Sequence, residues 1–296
     1  MVGETLSNKQ PLVDIILLNY NNANDTIECV KSIEKIKYEN YRIIIVDNNS
    51  DINDVELLEI NVKNHILIKN STNLGFSHGN NVAIRKSIEY GSDYILLLNN
   101  DTVVDSKFLD ELISMMDKNK VGIGKINYYS NKNKIWYGGG TVSLYTGKVV
   151  HENYGKEDFE DKKIRTVSFA TGCCMLIPRE IFQNIGLLRE DYFLYYEDVD
   201  FCYRVFKAGY EIVYNPNSVI YHKVSSSTGN KSELSQYYNF RNKFLFIRNN
   251  YSGLKKYNAF LYSLIECLKN ILVDGYDLKI FRKAIIDFLT GKTGKL

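Results

Sequence analysis

Residues 94–98, Tyr-Ile-Leu-Leu-Leu, end abruptly in Asn99-Asn100-Asp101. An apolar run that short, closed by polar residues, reads as a central strand of a parallel sheet rather than as a helix. Open α/β sheets bind ligands beyond the carboxyl ends of their strands. Asp101 therefore stands where chemistry is expected. Its hard oxygens suit Mg²⁺ or Mn²⁺ bridging to a diphosphate. The competing reading makes it a cap for the helix that starts near Asp105.

The chain before and after that run has the same rhythm. Strands are expected over 12–18, 42–47 and 66–68, each apolar and each followed by a polar turn. Between them, Asp25 can cap a helix carrying Ile27, Val30, Ile33 and Ile36, and a second helix covers 55–62. The polar stretch 73–81 opens a helix over 82–90, and an amphipathic helix follows over 106–116. This alternation predicts a parallel sheet with helices on both faces. After about Lys125 the pattern turns antiparallel, with hairpins turning at Thr146-Gly147 and a strand over 166–177 broken at Gly172. Pro178 fits the first turn of a helix over 179–185. Residues 190–197 form an aromatic, acidic loop ahead of a helix over 198–208 that ends at Gly209. Two short strands, 211–214 and 219–222, precede a helix over 234–247.

Bulk properties mainly exclude. Net charge is +2, so global charge points to no nucleic acid. No apolar run reaches the ~18–20 residues that span a bilayer, and residues 1–10 are too polar for a signal peptide. Five sparse cysteines, two of them the neighbours Cys173 and Cys174, read as reduced thiols of a cytoplasmic protein.

Four polar sites fall at strand or loop ends. Asp47 can accept the N3–H of a uracil or thymine base, or serve as a turn residue. Asn99-Asn100-Asp101 is the second site. Glu197 and Asp198, at the start of a helix, are favoured by its dipole, and one of them facing a cleft would make a general base. His222, ending a strand before Ser225-Ser226-Ser227, is either structural or, opposite Asp101, a nitrogen ligand for a metal.

Taken in order, the stretches 13–21, 44–50, 73–81, 97–102, 171–177, 192–203 and 219–227, backed by 237–248, resemble a family 2 glycosyltransferase of the rhamnosyltransferase-like type. The resemblance covers residues 12 to about 250 and implies a GT-A fold: a Rossmann-like α/β domain, mostly parallel, with a C-terminal helical extension. It divides the chain into a catalytic domain, 1–228, and a helical region, 229–296. Within the first, 12–125 would bind the nucleotide sugar and 126–228 the acceptor. It implies that Asp47 reads the donor's pyrimidine, that Asn19 and Tyr20 line the base pocket, and that Asn73 and Gly79 lie near the nucleoside. Asp101 matches the last residue of the metal-binding Asp-x-Asp motif, with Asn99 departing from its first position and Asn100 between. His222 matches the histidine that completes the site for Mn²⁺ or Mg²⁺. Asp198 matches the catalytic base, with Glu197 orienting it or binding acceptor. Trp136, Gly172, Tyr195 and Tyr196 are candidates for the acceptor side.

The implied reaction inverts the anomeric centre. It moves a sugar from a dTDP- or UDP-linked donor, with dTDP-rhamnose the first choice, to a glycan or a polyprenyl-diphosphate-linked acceptor. A non-catalytic nucleotide-sugar scaffold and a nucleotidyltransferase are the alternatives. From Gly253 onward, eight lysines and arginines face four acids, a net +4. Apolar stripes run through Leu261, Leu264, Ile265, Leu268 and Leu272, and through Leu278, Phe281, Ile285, Phe288 and Leu289. Basic amphipathic helices of this kind lie on anionic membrane surfaces. The expectation is a peripheral place on the inner face of the cell membrane, or else packing on the catalytic domain or within a homo-oligomer.

Overall fold

The computed structural model describes residues 10–224 and 232–296. The serine run 225–227 and residues 1–9 lie outside the described residues.

Four parallel strands form one half of a ten-stranded sheet: β1 (Val13–Asn19), β2 (Tyr41–Asp47), β3 (Ile66–Lys69) and β4 (Tyr94–Asn99). They lie in the order β4-β1-β2-β3, with Asn19 level with Asp47 and Leu18 level with Asn99. That register brings the polar strand ends to one edge of the sheet. The connecting helices are α1 (Ala23–Ile33), α2 (Ile52–Asn61) and α3 (Gly75–Glu89). The apolar residues of β1, β2 and β4 are almost wholly buried, as strands covered on both faces must be.

Beyond β4 the sheet is mixed. β11 (Cys174–Pro178) lies antiparallel between β4 and β6 (Lys120–Tyr128), and β12 (Glu211–His222) runs parallel to β6. β5 (Thr102–Val104) and β10 (Arg165–Val167) pair antiparallel with β12, and β7 (Ile135–Tyr137) with β6. A small hairpin, β8 (Gly140–Val142) and β9 (Val149–His151), turns through Gly147. The remaining helices are α4 (Phe108–Ser114), α5 (Arg179–Ile185), α6 (Glu197–Lys207), α7 (Glu233–Asn250), α8 (Gly253–Leu272) and α9 (Leu278–Leu289). The sheet is thus mostly parallel, as expected: β6 and β12 run in the direction of β1–β4, and the antiparallel members are β11 between them and the short β5, β7 and β10.

Several local expectations change. The segments 211–214 and 219–222 are one strand, carried past Pro216 by a register shift between Asn215 and Val219. The segment 166–177 is two strands, β10 and β11, because its middle turns away to meet α6. Asp25 lies inside the first turn of α1 and pairs with Lys223 at 2.5 Å instead of capping the helix. α3 begins at Gly75, well before residue 82. The polar residues that hide its start are satisfied inside the fold: Asn80 donates to the Phe76 carbonyl one turn back, and Asn81 to that of Leu188, remote in sequence. All five cysteines are buried and unpaired.

α7 is buried around most of its circumference and carries α8 and α9 on its outside. α8 meets its neighbours through Ala259, Ser263 and Cys267, small residues that allow close approach.

Candidate active site

A cavity of about 560 Å³ opens beyond the carboxyl end of β4. Asn99, Asn100 and Asp101 line one side of it; Thr171, Gly172, Glu197 and Asp198 line another. Trp136, Tyr195, Tyr196 and His222 also face it. The candidate metal, base and acceptor residues therefore share one space.

The β5–β12 ladder builds the Asp101–His222 pair. His222 is level with Thr102, and the Lys223 amide donates to the Asp101 carbonyl at 2.9 Å. This register sets His222 Nε2 3.1 Å from Asp101 Oδ1. His222 Nδ1 is buried without a hydrogen-bond partner. Trp136 packs edge-on against the same imidazole, with ring centroids 4.6 Å apart. Among the described residues, no group of three or more His, Cys, Asp or Glu side chains converges. The pair nonetheless fits a divalent cation, since Mg²⁺ and Mn²⁺ commonly take one or two protein ligands and fill the rest with phosphate oxygens and water. Asn99 contributes an amide where a second carboxylate would add charge.

The carboxylates of α6 are held by an unusual turn. Tyr195 and Tyr196 both adopt left-handed backbone, φ 67° and 74°, a costly conformation for aromatic residues. Asn242 of α7, fully buried, donates to the carbonyls of Leu194 and Tyr195 at 2.8 and 2.9 Å. The turn swings the first residues of α6 toward β11. Asp198 then accepts the Gly172 amide at 3.0 Å and the Val199 amide at 2.8 Å, with the Thr171 hydroxyl as a further donor. Burial raises the Asp198 carboxyl above its usual range, against the pull of those donors. Glu197 lies deeper. Burial, and then the charge of Asp198, push its carboxyl well above the usual carboxylate range, and its Oε2 has no hydrogen-bond partner. Of the two, burial favours the protonated form more strongly at Glu197, while Asp198, less buried and held by three donors, is the better placed to carry charge. Asp200, one turn along, is fully buried among Arg204, Tyr192 and Asn250, as a structural residue should be.

The nucleotide-side residues lie next to this cavity, outside it. Asp47 Oδ1 accepts Asn19 Nδ2 at 3.0 Å, and Oδ2 accepts the Ser50 amide at 3.1 Å. Asn19 is fully buried and also donates to Asp54 at 2.8 Å, so it braces the turns around Asp47 from within. Tyr20 projects into solvent beside it. Asn73 Oδ1 accepts from Asn48 and from the Gly75 amide. Gly79 departs from expectation: it sits inside α3, where an added Cβ would lie 2.7 Å from Leu18 Cδ1. Its hydrogen lets α3 pack on β1, beside Asn48, which bonds Asn73.

Residues missed in the sequence include Asn242, Asn239, Asn48 and His151. Asn239 and His151 line the cavity. Burial lowers the His151 pKa and keeps that ring neutral. Polar side chains on the buried faces of an aromatic-rich helix were the available signal for the two on α7.

Residues 14–186 match the family model described as Glycosyl transferase family 2. The chain belongs to glycosyltransferase family 2. This glycosyltransferase is 23% identical to the dTDP-rhamnosyl transferase RfbF of Shigella flexneri, over 94% of the chain and 95% of that protein. It is 27% identical to the low-salt glycan biosynthesis hexosyltransferase Agl10 of Haloferax volcanii, over 83% of the chain and 79% of that protein. A shorter match, 33% over 34% of the chain and 32% of that protein, is to the N-acetylglucosaminyl-diphospho-decaprenol L-rhamnosyltransferase of Mycobacterium tuberculosis. Its fold is that of the mannosyltransferase PcManGT from Pyrobaculum calidifontis, solved with GDP-Man and Mn²⁺ (TM-score 0.57, 13% identity, 98% of this chain and 77% of that one). GalNAc-T7, solved with UDP, GalNAc and Mn²⁺, is similar too (TM-score 0.64, 14% identity, 97% of this chain and 58% of that one). The glycosyltransferase is thus an enzyme of GT-A fold. Its family match ends before α6, so the roles of Glu197 and Asp198 rest on geometry.

Proposed function

We propose that the enzyme transfers a sugar, with inversion, from a dTDP- or UDP-linked donor to a hydroxyl of a glycan or lipid-linked sugar. The observation that carries this reading is a single one. Asp198, oriented by the Gly172 and Val199 amides, faces the same cavity as the Asp101–His222 pair.

In this reading Asp198 removes the acceptor hydroxyl's proton as that oxygen attacks the anomeric carbon. Glu197, holding its proton, leaves Asp198 the only anion of the pair. One base facing one cavity needs no covalent sugar–enzyme intermediate. Asp101 and His222 would hold a divalent cation, which offsets the charge gained by the departing diphosphate. Asn99 and Asn100 would bond ribose or diphosphate oxygens, and Asp47 the pyrimidine edge. Trp136, Tyr195 and Tyr196 offer apolar faces to the acceptor sugar. The name of RfbF favours dTDP-rhamnose as donor, and that of the mycobacterial relative favours a polyprenyl-diphosphate-linked acceptor.

The test is calorimetric binding of dTDP, UDP, GDP and CMP, with and without Mn²⁺, on the wild type and Asp101→Ala. The expected result is Mn²⁺-dependent binding of dTDP or UDP that the substitution removes. Selective GDP binding would overturn the role of Asp47. Binding of none of the four would overturn the nucleotide-linked donor.

A further inference from the structure

The outward face of α8 is built of large apolar side chains. Leu254, Leu261, Leu264, Ile265, Leu268 and Leu272 are all exposed, the two end leucines at 82%. They lie on the side of the helix opposite Ala259, Ser263 and Cys267, which make its inward contacts. An apolar stripe of this length is rarely left bare on a soluble monomer. α9 likewise exposes Leu278, Ile286 and Leu289, interleaved with exposed Lys279, Arg282 and Lys283.

The acids of this region are turned inward or engaged. Glu266 pairs with Lys243 at 2.7 Å, buried Asp287 with Lys292 and Tyr237, and Asp277 caps α9. Among the described residues, no salt bridge includes Lys255, Lys269, Lys279, Arg282 or Lys283. The outward surface therefore combines leucines with a net excess of positive charge, Asp274 and Asp277 being its exposed acids. No helix among the described residues is long and apolar enough to cross a membrane.

We propose that the outer faces of α8 and α9 dock in plane on an anionic lipid bilayer, with the leucines in the headgroup–acyl boundary and the bases on lipid phosphates. Charge selects this occupant over a second copy of the chain. A two-fold pairing would press the bases of each copy onto the same apolar and predominantly basic surface of the other, where few carboxylates meet them. The docking places α7, which lines the cavity through Asn239, directly behind the lipid-facing helix. It does not depend on the donor or the reaction assigned above.

The experiment is flotation of the full chain with vesicles of phosphatidylglycerol and phosphatidylcholine, and with phosphatidylcholine alone, at low and high salt. Two variants accompany it: Leu261→Gln/Leu268→Gln, and Lys279→Gln/Arg282→Gln/Lys283→Gln. All five positions are exposed, and circular dichroism checks that the variants fold. The wild type floats with the anionic vesicles and is released by salt. The leucine variant binds at least about ten-fold more weakly, and the charge variant about a hundred-fold more weakly. The proposal is overturned if the wild type stays unbound, if neutral vesicles bind it as well as anionic ones, or if the variants float like the wild type. It is also overturned if light scattering shows a dimer that Leu261→Gln/Leu268→Gln dissolves while vesicles bind neither form.

Discussion

Asn242 donates from α7 to the carbonyl oxygen of Tyr195, 47 residues away in sequence, at 2.9 Å. The bond ties the C-terminal helices to the left-handed turn that aims Glu197 and Asp198. Asn242→Ala leaves the half-buried Leu194 and Tyr195 carbonyls without their donor. A loss of about 2 kcal/mol in stability is expected, together with a fall in kcat. The donor KM should change less than kcat, because Asp47 and Asp101 are held by the β1–β2 and β5–β12 registers rather than by this turn. Urea unfolding and steady-state kinetics separate the two effects. Equal losses in kcat and donor affinity would argue for global disruption instead.

The two carboxylates predict opposite pH behaviour. Asp198 must be ionised to act as base, and burial raises its pKa. The acid limb of kcat/KM therefore lies at higher pH than for a free aspartate. Asp198→Asn lowers kcat by on the order of 10³ while leaving nucleotide binding intact. Glu197 has a raised pKa in the folded protein, so between its unfolded and folded values the unfolded state binds fewer protons. Stability from this group is complete below the unfolded pKa and is lost as pH rises toward the folded one. Glu197→Gln removes that loss. The variant should gain stability relative to wild type as pH rises from acid to neutral, a trend that denaturation at several pH values would reveal.

The parallel half of the fold was legible because each strand is an unbroken apolar run closed by polar residues, as in β2 ending at Asp47 and β4 ending at Asn99. What escaped depends on contacts remote in sequence. Pro216 made β12 look like two strands, yet a bulge carries the ladder past it. The left-handed turn at Tyr195 and Tyr196 contains no glycine to announce it; Asn242 supplies the compensation from another helix. The pairing of Asp101 with His222 came from the family resemblance, since only the β5–β12 register brings these distant residues together. The apolar stripe of α8 was evident, with an outward, membrane-facing place and inward packing as its two readings; the stripe faces outward, and Ala259, Ser263 and Cys267 take the inward side.

Two glycines of α3 should respond differently to the same methyl group. Gly75 has φ +76°, and an added Cβ would collide with the Phe193 carbonyl oxygen. Neither the backbone angle nor the backbone atom can yield cheaply. Gly75→Ala should cost about 3 kcal/mol or more and loosen the loop ahead of Glu197. At Gly79 the obstacle is the end of the Leu18 side chain at 2.7 Å, which can change rotamer. Gly79→Ala should cost about 1–2 kcal/mol. Thermal unfolding of both variants tests the order; a larger loss at Gly79 would return it to a special backbone role.

Trp136 is the only tryptophan of the chain, and it lines the cavity with its ring against His222. It is thus a built-in probe of the Asp101–His222 pair. Mn²⁺ is paramagnetic and quenches a nearby indole, whereas Mg²⁺ is not. If the pair holds the cation, Mn²⁺ with a nucleoside diphosphate should quench the emission, and Mg²⁺ should compete the quenching away. Asp101→Ala should abolish the response and His222→Ala should weaken it. Trp136→Phe would remove the signal but preserve most of the edge packing against His222, so its Mn²⁺-dependent nucleotide binding should stay within a few-fold of wild type. Quenching that persists in Asp101→Ala would place the cation elsewhere, and Asp101 would then serve only to orient His222.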